Sequence, residues 1–191
     1  MRYSAEHKEE TRRRIVDAAA RAFRASGFEN VSVADVMKDA GLTVGGFYRH
    51  FRSKGELFDA AVVEAMAETL RMMQRRGTSE VRGEAWMARA AAYYLNLPHR
   101  NAADRGCPLP SLSGEIGRSS PEIRQRFEGT LDDIADAVAE RIDPDRPEVA
   151  RARAWAFLST LVGSLLLARG VEDDELASEI LEAGRLAASK I

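Results

Sequence analysis

Apolar residues recur at three- and four-residue spacing along the whole chain. No stretch alternates with period two for long enough to build a sheet, so the pattern predicts an all-α fold of about nine helices. Ile15, Ala19, Ala22 and Phe23 form one apolar face on a helix over roughly residues 8–26, which Gly27 ends. Ser32 caps a short helix over 33–40 that Gly41 closes, and Thr43 caps a second over 44–50. Ser53 and Glu56 read as a capping box opening a long helix over 54–75. Gly77-Thr78-Ser79 breaks it, and Glu80 starts a helix to Asn96. Residues 97–101 read as a loop, because Pro98 disfavours helix in the residue before it. A short helix is expected over 106–118 with Cys107 at its N-cap. Three longer helices follow over 121–142, 148–169 and from Asp173 to near the end, started by Ser120-Pro121-Glu122, the 145–147 turn and Asp173-Asp174-Glu175.

Composition narrows the function classes. The 191 residues carry one cysteine, which rules out an internal disulfide framework, and the three histidines are scattered without metal-ligand pairing. No P-loop, dinucleotide fingerprint or nucleophile elbow is present, so neither an enzyme nor a bound cofactor is expected. The opening MRYSAEHKEETRRR has no apolar core, and the most apolar stretch, 154–168, falls short of the roughly 20 residues a membrane span needs. A cytoplasmic protein with no membrane partner is expected.

Charge changes the picture. Residues 1–55 hold 11 Lys/Arg against 7 Asp/Glu, a balance of +4, while the remainder carries −6 within an overall charge of −2. A basic end on an acidic body suits contact with a polyanion. At that end, Ser32 to Phe58 reads as two short helices joined by a Gly-bearing turn, a helix-turn-helix whose second helix can enter a DNA major groove. Val33, Val36, Met37, Leu42, Phe47 and Phe51 can hold the unit together, leaving Thr43, Val44, Gly46, Tyr48, Arg49 and His50 outside. Thr43, Tyr48, His50 and Lys54 can donate to phosphate oxygens. Gly45 and Gly46 together cost a short helix about 2 kcal/mol against alanine. Either the backbone there approaches a duplex closely, or the segment is a loop, or neighbouring side chains need the room.

From Thr11 to Phe58 the chain resembles the DNA-binding domain of the TetR family of bacterial transcriptional regulators. Ile15, Ala18, Ala19, Phe23, Gly27, Phe28, Val33, Val36, Ala40, Gly41, Phe47, Tyr48, Phe51, Lys54, Leu57 and Phe58 carry the resemblance. It implies a homodimer binding near-palindromic operator DNA through Ser32, Thr43, Val44, Gly46, Tyr48, Arg49, His50 and Lys54. It also implies a division into a DNA-binding domain, residues 1–53, and a ligand-binding and dimerisation domain, residues 54–191, with release by a small inducer. Position 44 is often polar or basic in the family. Here Val44 leaves apolar contact, for example with a thymine methyl.

The C-terminal part resembles the family only broadly. Gly106-Cys107-Pro108-Leu109 is similar to a Gly-Cys segment found in one subset. Trp86, Tyr93, Tyr94, Cys107, Leu109, Phe127 and Trp155 are candidates to line a pocket for a mostly apolar inducer, or are simply core. Cys107 could instead sense electrophiles or oxidants, which gives a thiol-based repressor as an alternative function. A helical ligand-binding protein without DNA binding is the other alternative. The stretch 154–168 is apolar almost all round, so a second copy is expected to cover it, with Leu158, Leu161, Val162, Leu165, Leu176 and Ile180 at the dimer interface.

Overall fold

The computed structural model describes residues 5–75 and 81–191, and the predicted break at 77–79 and start at Glu80 lie outside the described residues. Within them the chain is helical, with no strand: α1 (Ala5–Asn30), α2 (Val33–Asp39), a 3-10 helix (Val44–Arg49), α3 (Lys54–Arg75), α4 (Gly83–Tyr94), α5 (Leu97–Asn101), α6 (Leu109–Ile116), α7 (Pro121–Ile142), α8 (Pro147–Arg169) and α9 (Asp174–Ala188). The predicted all-α architecture therefore holds, with α5 added. The expected loop is a turn of helix because Asn96 accepts from the His99 amide at 2.8 Å, while Pro98 stands in the first turn, where no amide hydrogen is required.

α1 supports the helix-turn-helix. Ile15, Ala18, Ala19 and Phe23 are fully buried. Phe23, Phe28 and Phe58 form a triangle of rings with centroids 5.0–5.9 Å apart, joining α1 to α3. Gly27 interrupts α1 with φ of 77°, a left-handed value that favours glycine, and one more turn follows to Asn30. This break frees the Phe28 N–H, which donates to both carboxylate oxygens of Glu115 on α6, at 2.9 and 3.0 Å.

α3 runs from the helix-turn-helix into the body and packs on α1 and α7, while α7 and α9 flank α8. The face of α8 that carries Ala154, Phe157, Leu158, Leu161, Leu165 and Ala168 is buried inside the chain. This corrects part of the expected dimer surface: Leu158, Leu161 and Leu165 are spent on α8's contacts within its own chain, and Val162 is partly buried. The opposite face carries Ala152, Ala156, Ser159, Gly163 and Leu167, all at helical spacing and exposed or partly so. A Cβ on Gly163 would meet nothing within 4 Å, so packing inside the chain does not explain that glycine. On α9, Leu176 is 45% and Leu186 55% exposed, and Ile180 is partly buried.

Candidate nucleic-acid interface

The turn of the helix-turn-helix is built by two glycine-dependent bonds. α2 starts at Ser32, whose hydroxyl accepts from the Asp35 amide at 3.1 Å while the Asp35 carboxylate accepts from the Ser32 amide. The same carboxylate accepts from the Ser32 hydroxyl, and these bonds hold Asp35 below the usual carboxylate range. At the other end Gly41 takes φ of 67°, its N–H donates to Lys38 O at 3.0 Å, and the Leu42 N–H returns to Met37 O at 2.8 Å. This is a Schellman closure, and it turns the chain sharply into the next helix. Arg14 on α1 donates to Ala40 O at 2.6 Å and Arg21 pairs with Asp39 at 2.7 Å, so α1 grips the end of α2.

The second helix is a single 3-10 segment, Val44–Arg49, rather than the α-helix the pattern suggested. Thr43 stands at its N-cap without a side-chain cap bond, and His50 follows at its C-cap. Val36, Met37, Phe47 and Phe51 are buried, and Phe47 stacks on Phe51 at 5.8 Å. The packing role expected of them holds, with Val33 and Leu42 partly buried against the same core.

What remains outside forms one surface. Thr43, Gly45 and Arg49 are exposed, Val44 is 47% and Tyr48 73% exposed. Neither Gly45 nor Gly46 has positive φ. A Cβ at Gly45 would meet nothing within 4 Å, and one at Gly46 would lie 3.8 Å from Met37 Cε, an ordinary contact. The segment is helical, and no neighbour needs the room. Of the three explanations for these glycines, the two that lie within the chain find no support in its geometry.

Cations surround this surface. Lys54 donates to Glu29 O at 3.3 Å with its ammonium 4.3 Å above the Phe28 ring, which fixes a long side chain beside the helix start. Arg12 lies over Phe51 at 4.8 Å. The Nδ1 of His50 is buried without a hydrogen-bond partner. Burial and then the charges of Lys8, Arg12 and Arg49 push the His50 pKa down, against a weaker pull from Glu9. At His50 the cations outweigh Glu9, and that positive excess suits phosphate.

The expected ligand-site residues divide. Leu109 is buried, Trp86 packs on Phe157 with ring centroids 5.8 Å apart, and Phe127 and Trp155 are partly buried. Tyr93 is 54% exposed and faces outward from α4, because its neighbours Ala91 and Leu95 take the core positions. Two open clefts, of about 450 and 410 Å³, are lined by none of these aromatics: the first almost wholly by charged residues, the second by three arginines among small, polar and apolar residues. Pro108, not Cys107, holds the N-cap position of α6, and the Cys107 N–H before it donates to His99 Nε2 at 3.2 Å. Burial pushes the Cys107 thiol up, opposed by the Tyr94 hydroxyl, the Leu109 backbone and Arg169. His99 Nδ1 is 2.7 Å from Tyr94 O, so with its Nε2 accepting, the ring is neutral and protonated on Nδ1. Sequence reasoning did not single out Arg24, Arg100, Glu115 or Arg169, which bond to partners 68 to 87 positions away; no short-range signal marks them.

Among known proteins, residues 15–61 match the family model for bacterial regulatory proteins of the tetR family. The chain is 38% identical over 80 residues to the HTH-type transcriptional regulator TtgR of Pseudomonas putida, covering 42% of this chain and 38% of that protein. It is 31% identical over 129 residues to the uncharacterized HTH-type transcriptional regulator YfiR of Bacillus subtilis, 66% of this chain and 61% of that one. The matches thus span less than two thirds of either relative. A TetR transcriptional regulator from Chloroflexus aurantiacus superposes with a TM-score of 0.76 and 26% identity, over 95% of this chain and 93% of that one.

Proposed function

We propose that this chain, whose residues 15–61 match the model for bacterial regulatory proteins of the tetR family, is a ligand-responsive repressor that binds a near-palindromic operator as a homodimer. Residues 1–53 would contact DNA, and residues 54–191 would bind the ligand and dimerise. One observation carries the DNA reading: Gly45 and Gly46 sit in an exposed 3-10 helix where neither φ nor packing calls for glycine, flanked by Thr43, Tyr48, Arg49, His50 and Lys54. Bare backbone beside donors is what close approach to phosphates and base edges requires. Tyr48, Arg49, His50 and Lys54 would position the helix, and Val44 would touch a base through its methyl groups. The Ser32 hydroxyl gives its proton to Asp35 and accepts from the Asp35 amide, so a phosphate contact there would require the O–H to leave Asp35.

The dimer reading now rests on the outward face of α8, with Ala152, Ala156, Ser159, Gly163 and Leu167, and on Leu176 and Ile180 of α9. Small residues there let two backbones approach, and an isologous contact matches the two-fold symmetry of a palindrome. The inducer would be mostly apolar and lie among Trp86, Tyr94, Leu109, Phe127 and Trp155. Membership of the subset with a Gly-Cys segment at 106–107 belongs to this reading.

The test is fluorescence anisotropy with DNA from the gene's own upstream region. Wild type should bind with affinity falling steeply as salt rises, and a Tyr48→Ala, Lys54→Ala double variant should lose affinity for all sequences with a flatter salt slope. Equal binding by both proteins would remove these residues from the interface. No binding to any DNA at low salt would favour a helical ligand-binding protein instead.

A further inference from the structure

Arg169, the last residue of α8, is folded into the body without a carboxylate partner among the described residues. Its Nε donates to Arg100 O at 3.3 Å, its Nη1 to Ser111 Oγ at 3.0 Å and its Nη2 to His99 O at 3.2 Å, all neutral acceptors. Burial pushes its pKa down, as expected of a cation whose surroundings do not compensate its charge. Arg24 on α1 is only 7% exposed. Its Nε donates to Ala20 O and its Nη1 to Gly106 O, and the acid beside it, Glu68, stands 3.5 Å away with half its side chain in solvent.

A guanidinium carries five N–H donors. By that count Arg169 has one N–H left on each terminal nitrogen, and Arg24 has both on Nη2. The two arginines line the same open cleft of about 410 Å³, together with Gly27, Asn101, Ser111 and Leu166. Arg100 lines it as well, but its guanidinium is spent on Ala168 O, Val171 O and Asp174, tying α5 to the end of α8.

We propose that this cleft is a binding site for a small molecule carrying a carboxylate or phosphate group, gripped between Arg169 and Arg24. Planar forks with free terminal N–H groups match the oxygens of either anion, and an anion supplies the charge that burial of Arg169 lacks. The volume lies within the range of small-molecule sites, and Leu166, 52% exposed, gives the ligand's apolar part a surface. One wall is α1, the helix behind the helix-turn-helix, and the others come from α5, α6 and α8. An occupant therefore bridges the DNA-binding end and the body. Its effect on operator affinity rests on the repressor reading, whereas its binding does not.

The test titrates the full-length protein calorimetrically with benzoate and phenyl phosphate, the carboxylate and phosphate arms, against benzamide and phenol at matched ionic strength. Saturable binding of at least one anion and of neither neutral probe is expected, with at least tenfold weaker binding in Arg169→Gln. Since Arg169→Gln also removes bonds that hold α5 and α6, a second variant, Ser111→Asp, places a carboxylate beside Arg169 Nη1. It should block the anion while raising the melting temperature. Binding no stronger than to sodium chloride, or undiminished binding by a folded Ser111→Asp protein, would overturn the proposal. Anion binding retained in a protein that binds no DNA would keep the site and remove only the repressor reading.

Discussion

Replacing Gly45 or Gly46 by alanine should make the protein more stable and a poorer DNA binder at once. The two positions have ordinary negative φ, so alanine fits without backbone strain. At Gly45 the added methyl meets open space, and at Gly46 it meets Met37 Cε at 3.8 Å, close enough to touch and too far to clash. What remains is the lower entropy of the unfolded chain, about 0.5–1 kcal/mol per glycine. In a chain of this size that raises the melting temperature by about 2–4 °C per kcal/mol. On DNA the same methyl occupies the space between backbone and duplex, and a lost close contact there costs about 1–3 kcal/mol, roughly 5- to 150-fold in affinity. Thermal denaturation followed by circular dichroism gives the first quantity, and operator titration by anisotropy gives the second. Opposite signs in one protein cannot come from unfolding. Variants that gain stability and bind operator as tightly as wild type would refute the close-approach argument, and variants that lose stability would show that the chain itself needs these glycines.

Three further outcomes can be checked. Leu167→Glu, on the outward face of α8, should convert a species of about twice the chain mass in light scattering into a monomer that stays folded, whereas Leu161→Glu should unfold the chain because Leu161 is 3% exposed within it; a folded Leu161→Glu monomer would return the interface to the buried face. His50 has its pKa lowered from 6.5 by burial, Lys8, Arg12 and Arg49, so on acidification the unfolded chain takes up its proton first and the free protein loses stability as pH falls through that range. DNA phosphates reverse the sign locally, so operator binding should take up a proton and strengthen from pH 8 to pH 6, and His50→Gln should flatten that dependence; an unchanged pH profile in the variant would refute it. Cys107→Ser should match wild type in operator release by a quinone or an aldehyde, since burial raises the thiol's pKa; selective loss of release in the variant would make Cys107 a sensor.

The helix-turn-helix was legible because its determinants are local. Ser32 and Asp35 cap one helix within four residues, and Gly41 closes it within six. The buried set Val36, Met37, Phe47 and Phe51 follows from spacing alone. The 3-10 character of Val44–Arg49 was not legible, because capping and periodicity look the same for either helix over six residues. α5 hid behind a proline that the first turn tolerates. Leu158, Leu161 and Leu165 were expected outside for a reason in the pattern itself: α8 is apolar on both faces, and its sequence does not say which face the chain keeps. The structure gives Leu158, Leu161 and Leu165 to the interior and leaves the small residues outside. The buried arginines were invisible because each is defined by its partners. Arg169 reads as a basic residue ending a helix until His99, Arg100 and Ser111 are folded around it.

The junction between the two ends has a physical basis for communication. Gly27 breaks α1, and the Phe28 N–H this frees is taken by Glu115, near the end of α6. A side chain on Gly27 would bring its Cβ to 2.9 Å from Glu115 Oε1, so the glycine serves both the break and the approach of the carboxylate. One turn earlier, Arg24 donates to Gly106 O at the other end of the same segment. Residues 106–115 are thus held by α1 at both extremities, and their apolar side, with Leu109 and Leu112, is buried in the body beside Ile116. A shift of that segment must either carry α1 with it or give up a charged hydrogen bond worth about 1.5–3 kcal/mol. That is the same size as the roughly 1–3 kcal/mol by which an effector typically changes binding at a distant site. On the proposed function, occupancy beside this segment, whether among the aromatics or in the arginine cleft, would act on the helix that supports the surface proposed to face DNA.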